Sequence, residues 1–144
     1  MNKILVSRCL IGACCRYDGG SNLVPWIKAL YERGLAVPVC PEELGGLPTP
    51  RTPSERRGER VINQKGEDVT EQFCRGAGMA LAVCRETGCA LAVLKARSPS
   101  CGRGEIYDGS FTHTRIPGNG VFADLLLSEG IQVLTEAEAK PEAL

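Results

Sequence analysis

Short apolar runs alternate with amphipathic stretches along the whole chain. Apolar runs with β-branched residues predict strands at residues 3–7, 36–39, 90–94 and 131–134. Between them, apolar positions recur at helical spacing and predict helices over residues 22–33, 71–86 and 121–128. Alternating strands and helices predict an α/β fold, a single-domain Rossmann-like sandwich with a mostly parallel sheet. The run at 90–94 is entirely apolar, so we expect that strand to be central.

Local signals refine the boundaries of these elements. Ser21 is a candidate N-cap for the first helix, Pro25 is tolerated in its first turn, and Gly34 suits its C-cap. Residues 60–63 and 68–70 flank a Lys65-Gly66 turn and predict a small ribbon. Asp108-Gly109 is a tight-turn signal within residues 105–111.

One long segment lacks any periodic pattern. Residues 40–58 contain four prolines and three glycines, which predicts an irregular loop. Long loops inside compact domains are either functional or disordered. This loop is therefore a candidate for function.

Length and charge limit the classes of protein. With 144 residues, we expect one domain over residues 1–144, and the tail from about residue 137 is a candidate for disorder. Lys plus Arg and Asp plus Glu each number 17, so the net charge is zero. This balance gives no electrostatic reason to expect a nucleic-acid or membrane-surface partner. A small-molecule partner is expected instead, and the sequence does not define the oligomeric state.

Cysteine is the unusual component, with 8 in the chain. The sequence shows neither a signal peptide nor an apolar run long enough to span a membrane, so we expect a cytoplasmic protein. Thiols stay reduced in that compartment, which argues against a disulfide framework. The cysteines are therefore expected to be core residues, metal ligands or reactive groups.

Three cysteines fall at equivalent places in the predicted sheet. Cys9 follows the first strand, Cys40 follows the second, and Cys101 lies in the loop after the third. The carboxyl ends of parallel strands share one edge of a sheet, where ligands bind in such folds. Glycines, prolines and polar residues surround all three, which suits ligands better than packing residues. The competing interpretation is that they are buried at the bases of loops.

The other cysteines are less informative. Cys84 lies on the apolar face of the predicted helix, Cys74 adjoins it and Cys89 begins a strand, so all three are expected in the core. Cys15 could be a fourth ligand or a reactive thiol near the site. Its neighbour Cys14 is given no role.

Three thiolates leave two inorganic possibilities. A zinc site with three cysteines would favour a histidine as its fourth ligand, and His113, the only one, lies in a Thr-rich segment typical of a surface. The alternative is an iron–sulfur cluster with three cysteine ligands and one open iron, since such clusters normally have four.

Five ordered blocks of sequence resemble a known family. They are S-R-C-L-I-G-A-C-C-R-Y-D-G, C-P-E-E-L-G-G-L-P-T-P-R, G-E-D-V-T-E-Q-F, L-K-A-R-S-P-S-C-G and I-Y-D-G-S-F. Over residues 4–136 the chain resembles the bacterial thiouracil desulfidase family. The resemblance implies a [4Fe-4S] cluster held by three cysteines, whose fourth iron captures the sulfur of a thiocarbonyl substrate. By motif, the ligands fall on Cys9, Cys40 and Cys101.

The resemblance also implies catalytic residues. It points to an acidic residue, Glu42, and to a serine, Ser98. Glu42 could act first as general base and then as general acid, with Glu43 as a competing candidate. Ser98 could hydrogen-bond the pyrimidine ring or relay a proton. The structural alternatives are that Glu42 orients its loop and that Ser98 is a turn hydroxyl.

Several cations lie near these motifs. Arg8 stands where similar proteins are expected to have a small residue. Four arginines cluster in and after the proline-rich loop: Arg51, Arg56, Arg57 and Arg60. They form either a solvated face or a phosphate clamp, and a clamp would make the substrate a thiolated nucleotide.

The sequence thus predicts an iron–sulfur desulfidase that converts a thiouracil-type pyrimidine to the oxo compound and releases sulfide. The alternative is a non-catalytic metal-binding or redox-sensing module, with zinc or reactive thiols at the three-cysteine site. A metal-free nucleotide-binding protein is disfavoured, because no glycine-rich phosphate-binding motif follows a predicted strand.

Overall fold

Four short parallel strands form the centre of the molecule in the computed structural model, which describes residues 3–143. In chain order the strands are β1 (Ile4–Ser7), β2 (Ala36–Val39), β3 (Ser54–Arg57), β4 (Arg60–Asn63), β5 (Leu91–Leu94), β6 (Glu105–Tyr107), β7 (Arg115–Pro117) and β8 (Gln132–Thr135). The helices are α1 (Pro25–Glu32), α2 (Pro41–Leu44), α3 (Thr70–Thr87) and α4 (Val121–Ser128). Within the described residues, no helix is long and apolar enough to cross a membrane.

The central sheet has the strand order β2-β1-β5-β8, and all its pairs are parallel. The chain moves outward from β1 to β2 and then crosses back to place β5 on the other side of β1. The loops after β1 and β5 therefore diverge at the point where strand order reverses, the usual ligand position in such sheets. The predicted parallel α/β architecture is confirmed, and β5 is an inner strand as expected.

The two faces of the sheet pack against different helices. On β1, Leu5 faces one side, with Ile4 and Val6 on the other, as the two-residue repeat of a strand requires. The Leu5 side packs on α3 and α4, with Phe122 fully buried. The Val6 side packs on α1 through Ile27. Apolar side chains on both faces of the strands account for their continuous apolar runs.

Glycines dock α2 directly against α3. A methyl group at Gly76 would overlap the carbonyl oxygen of Pro41, and one at Gly45 would overlap the carbonyl oxygen of Gln72. The backbones therefore approach more closely than any side chain would allow. This contact fixes the segment after β2, which carries Cys40 and Glu42.

Two antiparallel hairpins, β3–β4 and β6–β7, lie outside the central sheet and are tied together. The carboxylate of Glu55 accepts hydrogen bonds from the backbone N–H groups of Gly109 (2.9 Å) and Phe111 (3.2 Å). Arg57 Nε donates to the carbonyl of Gly109 at 2.7 Å. The hairpins thus form one connected unit beside the sheet.

Several boundaries differ from the sequence predictions. The first helix begins at Pro25, so Ser21 is not its N-cap. Residues before it are extended because the backbone N–H groups of Asn22 and Val24 donate to the carbonyls of Cys9 (3.0 Å) and Leu10 (2.8 Å). These hydrogen bonds to the loop after β1 form in place of an additional turn of α1.

The long loop and the ribbon also differ. The segment 40–58 contains α2 and β3, and β3, not residues 68–70, pairs with β4 along its full length. Residues 68–70 contribute a single bridge between Ile62 and Asp68. Beyond β8, Ala139 is buried against the α1 side of the sheet, and Pro141–Ala143 forms a 3-10 turn.

Replacing Gly76 with alanine should destabilise the protein by about 1–3 kcal/mol because the added methyl must displace the α2 backbone. We expect Tm to fall by roughly 3–12 °C. Gly78→Ala in the same helix is the matched control, since a Cβ there meets no atom within 4 Å. That variant should be neutral or stabilised by up to about 1 kcal/mol. Equal Tm values for the two variants would contradict close α2–α3 packing.

Candidate active site

The three cysteines that follow strands lie together at the carboxyl edge of the sheet. Cys9 is in a 3-10 turn directly after β1, Cys40 is the N-cap residue of α2 directly after β2, and Cys101 is in the loop after β5. All three line one cavity of about 510 Å³, and Glu42 and Ser98 line it as well. The structure therefore brings together every residue that the sequence predicted for the site.

Cys101 is the most deeply buried of the three thiols. Burial raises the pKa of Cys101 to about 12, although hydrogen bonds from the side chains of Ser7 and Ser100 oppose the rise. Negative charge on Cys9 and Cys40 raises the pKa of Cys101 further, which reflects how closely the thiols converge. Without a cation, this thiol holds its proton.

Cys9 and Cys40 have the opposite tendency. A hydrogen bond from Cys15 is the main reason that the pKa of Cys9 falls to about 7, and Asn22 Nδ2, at 3.4 Å from Cys9 Sγ, lowers it further. The same Cys15 thiol also lowers the pKa of Cys40, which the backbone N–H of Glu43 assists. Cys15 has one S–H proton to share between them, so it favours the thiolate form at one of the two positions at a time.

Cys15 is the central donor of this group. Its side chain contacts both Cys9 and Cys40, and these contacts, with burial, raise the pKa of Cys15, so it stays protonated between them. The adjacent Cys14 is exposed. The sequence left open whether Cys15 is a fourth ligand or a reactive thiol near the site, and the structure places it beside Cys9 and Cys40.

The remaining cysteines lie outside the site. Cys84 and Cys89 are buried, as predicted, and Cys84 Sγ donates to the carbonyl of Cys89. Cys74 is exposed, which corrects the expectation that it belongs to the core. It lies one position beyond the buried stripe of α3 that includes Phe73 and Ala77.

The two adjacent glutamates have separate partners. Glu42 accepts hydrogen bonds from Arg51 Nε at 3.0 Å and from Ser100 Oγ at 3.2 Å, and it lines the cavity. Glu43 accepts from Arg8 Nη1 at 2.8 Å and from Thr49 Oγ1 at 2.6 Å. Of the two glutamates, only Glu42 therefore presents its carboxylate to the cavity.

The two serines of the S-P-S-C motif also differ. Ser98 Oγ accepts hydrogen bonds from the backbone N–H groups of Ser100 (3.2 Å) and Cys101 (3.0 Å), so it shapes the turn. Ser100 Oγ lies 3.1 Å from Ser98 Oγ and contacts both Glu42 and Cys101 Sγ (3.6 Å). A continuous chain of hydrogen bonds therefore joins Glu42, Ser100 and Ser98.

The sequence did not identify Ser100 or Asn22 as parts of this site, and it named Arg51 only as one of four arginines that could clamp a phosphate. Ser100 could have been considered because it directly precedes Cys101. The contacts of Arg51 with Glu42 and of Asn22 with Cys9 depend on how distant loops fold together.

The four arginines of the proline-rich segment do not converge. Arg51 reaches Glu42, Arg56 pairs with Asp124 (2.6 Å), Arg57 holds Gly109, and Arg60 pairs with Asp68 (2.8 Å). Only Arg51 among them lines the cavity. The group therefore forms no joint phosphate clamp.

Aromatic side chains also line the cavity. They are Tyr17, Tyr107, Phe111 and His113. Phe111 and His113 both have φ of 59°, a left-handed conformation that non-glycine residues seldom adopt and that clusters at functional sites. His113 is exposed, as predicted, and stacks edge-on against Tyr107 with ring centroids 6.3 Å apart.

Fold and cavity together define a class of protein. Soft thiol donors, a carboxylate and a small-molecule cavity at the reversal point of a parallel sheet are typical of a metal-dependent α/β enzyme.

Comparison with known proteins gives the family. A family model described as 2-thiouracil desulfurase matches residues 4–138, so the chain belongs to the 2-thiouracil desulfurase family. It is 44% identical over 145 residues to the uncharacterized protein YbbK of Bacillus subtilis (strain 168), covering 94% of this chain and 96% of that protein. It is 48% identical to a solved structure described as the [4Fe-4S]-dependent thiouracil desulfidase TudS. That match has a TM-score of 0.93 and covers 99% of this chain and 95% of the other.

Arg51→Met should destabilise the protein by about 3–5 kcal/mol, since it leaves a largely buried carboxylate without its cation. The side chain of Arg51 is 6% exposed and also donates to the carbonyl of Cys15 at 2.8 Å. Arg60→Met, which removes an exposed ion pair, should cost no more than about 1 kcal/mol. Urea unfolding of the metal-free variants measures both values. A cost for Arg51→Met as small as that for Arg60→Met would contradict this assignment.

Proposed function

We propose that the protein is an iron–sulfur-dependent desulfidase that hydrolyses a thiouracil-type pyrimidine to the oxo compound and sulfide. The overall reaction exchanges C=S and water for C=O and hydrogen sulfide. The observation that carries the proposal is the convergence of Cys9, Cys40 and Cys101 on one cavity that also exposes Glu42. Membership of the 2-thiouracil desulfurase family and the similarity to TudS support it.

The donor set fits a [4Fe-4S] cluster. Thiolates are the normal ligands of such clusters, and three of them leave one coordination position open. Hydrogen bonding lowers the pKa of Cys9 and that of Cys40, and a cationic group would compensate the burial that raises the pKa of Cys101. We assign Cys9, Cys40 and Cys101 as the ligands. When bound, the cluster would supply a thiophilic Lewis acid beside the substrate.

Glu42 is the proposed general base and acid. Its carboxylate lies in the cavity and can accept one proton from the attacking water and later return it as general acid, so that both protons of the water leave in hydrogen sulfide. Arg51 fixes one oxygen of this carboxylate, so the orientation of the other is restricted. Ser100 joins Glu42 to Ser98, which lets Ser98 relay a proton or hydrogen-bond the ring.

The cavity walls suit a flat heterocycle. Tyr17, Tyr107 and Phe111 offer aromatic surface in the cavity, against which a pyrimidine ring can stack. A volume of about 510 Å³ is within the usual range for a small-molecule site.

We also propose that the protein works in a reducing compartment, the cytoplasm. None of the eight cysteines is paired in a disulfide, which suits a reducing environment. The balanced charge favours a small-molecule substrate over nucleic acid or a membrane surface.

The second candidate is a metal-binding module without catalytic activity. The grouping of Cys15, Cys40 and Glu43 favours it, because these residues could hold a single metal ion. Such a module would bind a stoichiometric ion and would not turn over a thiocarbonyl compound.

Anaerobically purified protein should contain about four iron and four acid-labile sulfide per chain if the cubane cluster is present. Replacing Cys9, Cys40 or Cys101 with alanine should abolish that content, since each supplies one of three ligands. Cys74→Ala, at an exposed position, is the control and should keep it. Metal analysis and the visible absorption spectrum give the result. A cluster that is retained in all three variants would contradict the assignment of Cys9, Cys40 and Cys101 as its ligands.

Glu42→Gln should keep the cluster but lower kcat by about 10²–10⁴-fold for 2-thiouracil, the usual contribution of a general acid–base group. The competing carboxylate is tested by Glu43→Gln, for which we expect a loss under about 10-fold, since an acid–base role would cost more. Turnover is followed by sulfide release, with iron content measured in parallel. A larger loss for Glu43→Gln than for Glu42→Gln would transfer the role to Glu43.

A further inference from the structure

Cys15 has contacts that the proposed function does not use. It is 4% exposed, and its thiol contacts both Cys9 and Cys40. Its Sγ atom, the Sγ atom of Cys40 and a carboxylate oxygen of Glu43 all lie within 4.8 Å of one another. A fourth thiol therefore adjoins two of the three proposed cluster ligands, on the side of the site that holds Glu43.

These donor atoms suit a single zinc ion. Zinc takes four ligands in a tetrahedron and accepts cysteine thiolates together with a carboxylate. Bond lengths of about 2.0–2.3 Å place the ligand atoms of such a site roughly 3.3–3.8 Å apart. The separations here require only small side-chain movements to reach that arrangement.

Glu43 is held in a position that supports this role. Arg8 donates to its Oε1 atom at 2.8 Å and Thr49 donates to its Oε2 atom at 2.6 Å. A carboxylate oxygen has lone pairs for a donor and a metal together, and such supporting hydrogen bonds orient metal ligands in proteins. Glu43, which does not line the cavity, is thus held by hydrogen bonds on both of its carboxylate oxygens.

We propose that Cys15, Cys40 and Glu43, with water as the fourth ligand, bind one zinc ion when the iron–sulfur cluster is absent. This site shares Cys40 with the cluster set, so the two metal groups exclude each other. Cys15 belongs only to the zinc site, and Cys101 belongs only to the cluster site. The inference rests on the proposed function for the identity of the cluster ligands alone.

Zinc bound in this way would block assembly of the cluster. The protein would then exist in two metal forms, with the form set by the relative supply of zinc and of assembled cluster. Zinc binding requires the loss of protons from the thiols, so Cys15 would give up the proton that it shares between Cys9 and Cys40.

Titration of the metal-free protein with Zn²⁺ against a chromophoric chelator, under anaerobic conditions, tests the proposal. Cys15→Ser should weaken zinc binding by about 100-fold or more, since even supporting residues contribute 10–100-fold. The same variant should still take up about four iron on reconstitution. Cys101→Ser should show the reverse, with unchanged zinc affinity and no cluster. Cys14→Ser, at the exposed neighbouring position, should keep both properties.

Titration with Co²⁺ gives an independent readout, because tetrahedral thiolate coordination produces intense visible and charge-transfer bands. These bands should persist in Cys101→Ser and be lost in Cys15→Ser, with circular dichroism confirming that both variants are folded. Equal zinc affinity in Cys15→Ser and the unmodified protein would overturn the proposal, as would an equal loss in Cys101→Ser. The same experiments distinguish failure of the zinc proposal from failure of the proposed function. A protein that binds zinc as described but takes up no cluster would refute the desulfidase cofactor and leave the zinc site supported.

Discussion

Parallel pairing of β1 with both β2 and β5 obliges the loops after these three strands to leave the sheet at the same edge. Every other feature of the site depends on that constraint, because Cys9, Cys40 and Cys101 are far apart in sequence and no local motif could gather them. The tight contact between Gly45 and the backbone of α3 then fixes the second of these loops at its far end. Topology thus brings the thiols together, and backbone packing limits how far they can move.

The parts of this arrangement that follow from short-range patterns could be predicted from sequence. The four strands of the central sheet and the helices α3 and α4 follow from the spacing of apolar residues, and the positions of Cys9 and Cys40 follow from where strands end. The start of α1 could not, since the N–H groups of Asn22 and Val24 bond to a loop that is not visible in the local pattern. The choice of β3 as the partner of β4 depends equally on tertiary pairing.

Within the site too, contacts that depend on tertiary structure could not be predicted from the sequence. The sequence identified residue types that suit the chemistry, but it did not show which of two adjacent polar residues makes which contact. Glu42 and Glu43 are adjacent, yet successive positions on a helix point in different directions, so one meets Arg51 and the other Arg8. Ser98 and Ser100 divide in the same way, one shaping the turn and the other touching the carboxylate. Adjacent polar residues can be assigned only when their surroundings are known.

The cavity has two walls of independent origin. The thiol wall belongs to the parallel sheet, whereas the aromatic wall with Tyr107 and Phe111 belongs to hairpins joined to each other through Glu55. Substitution of Tyr107 or Phe111 can therefore alter the shape offered to a substrate without replacing a metal ligand. Such a separation lets natural variation change the preferred heterocycle while the inorganic chemistry is conserved, so divergence in substrate choice within this architecture should concentrate in the hairpin residues.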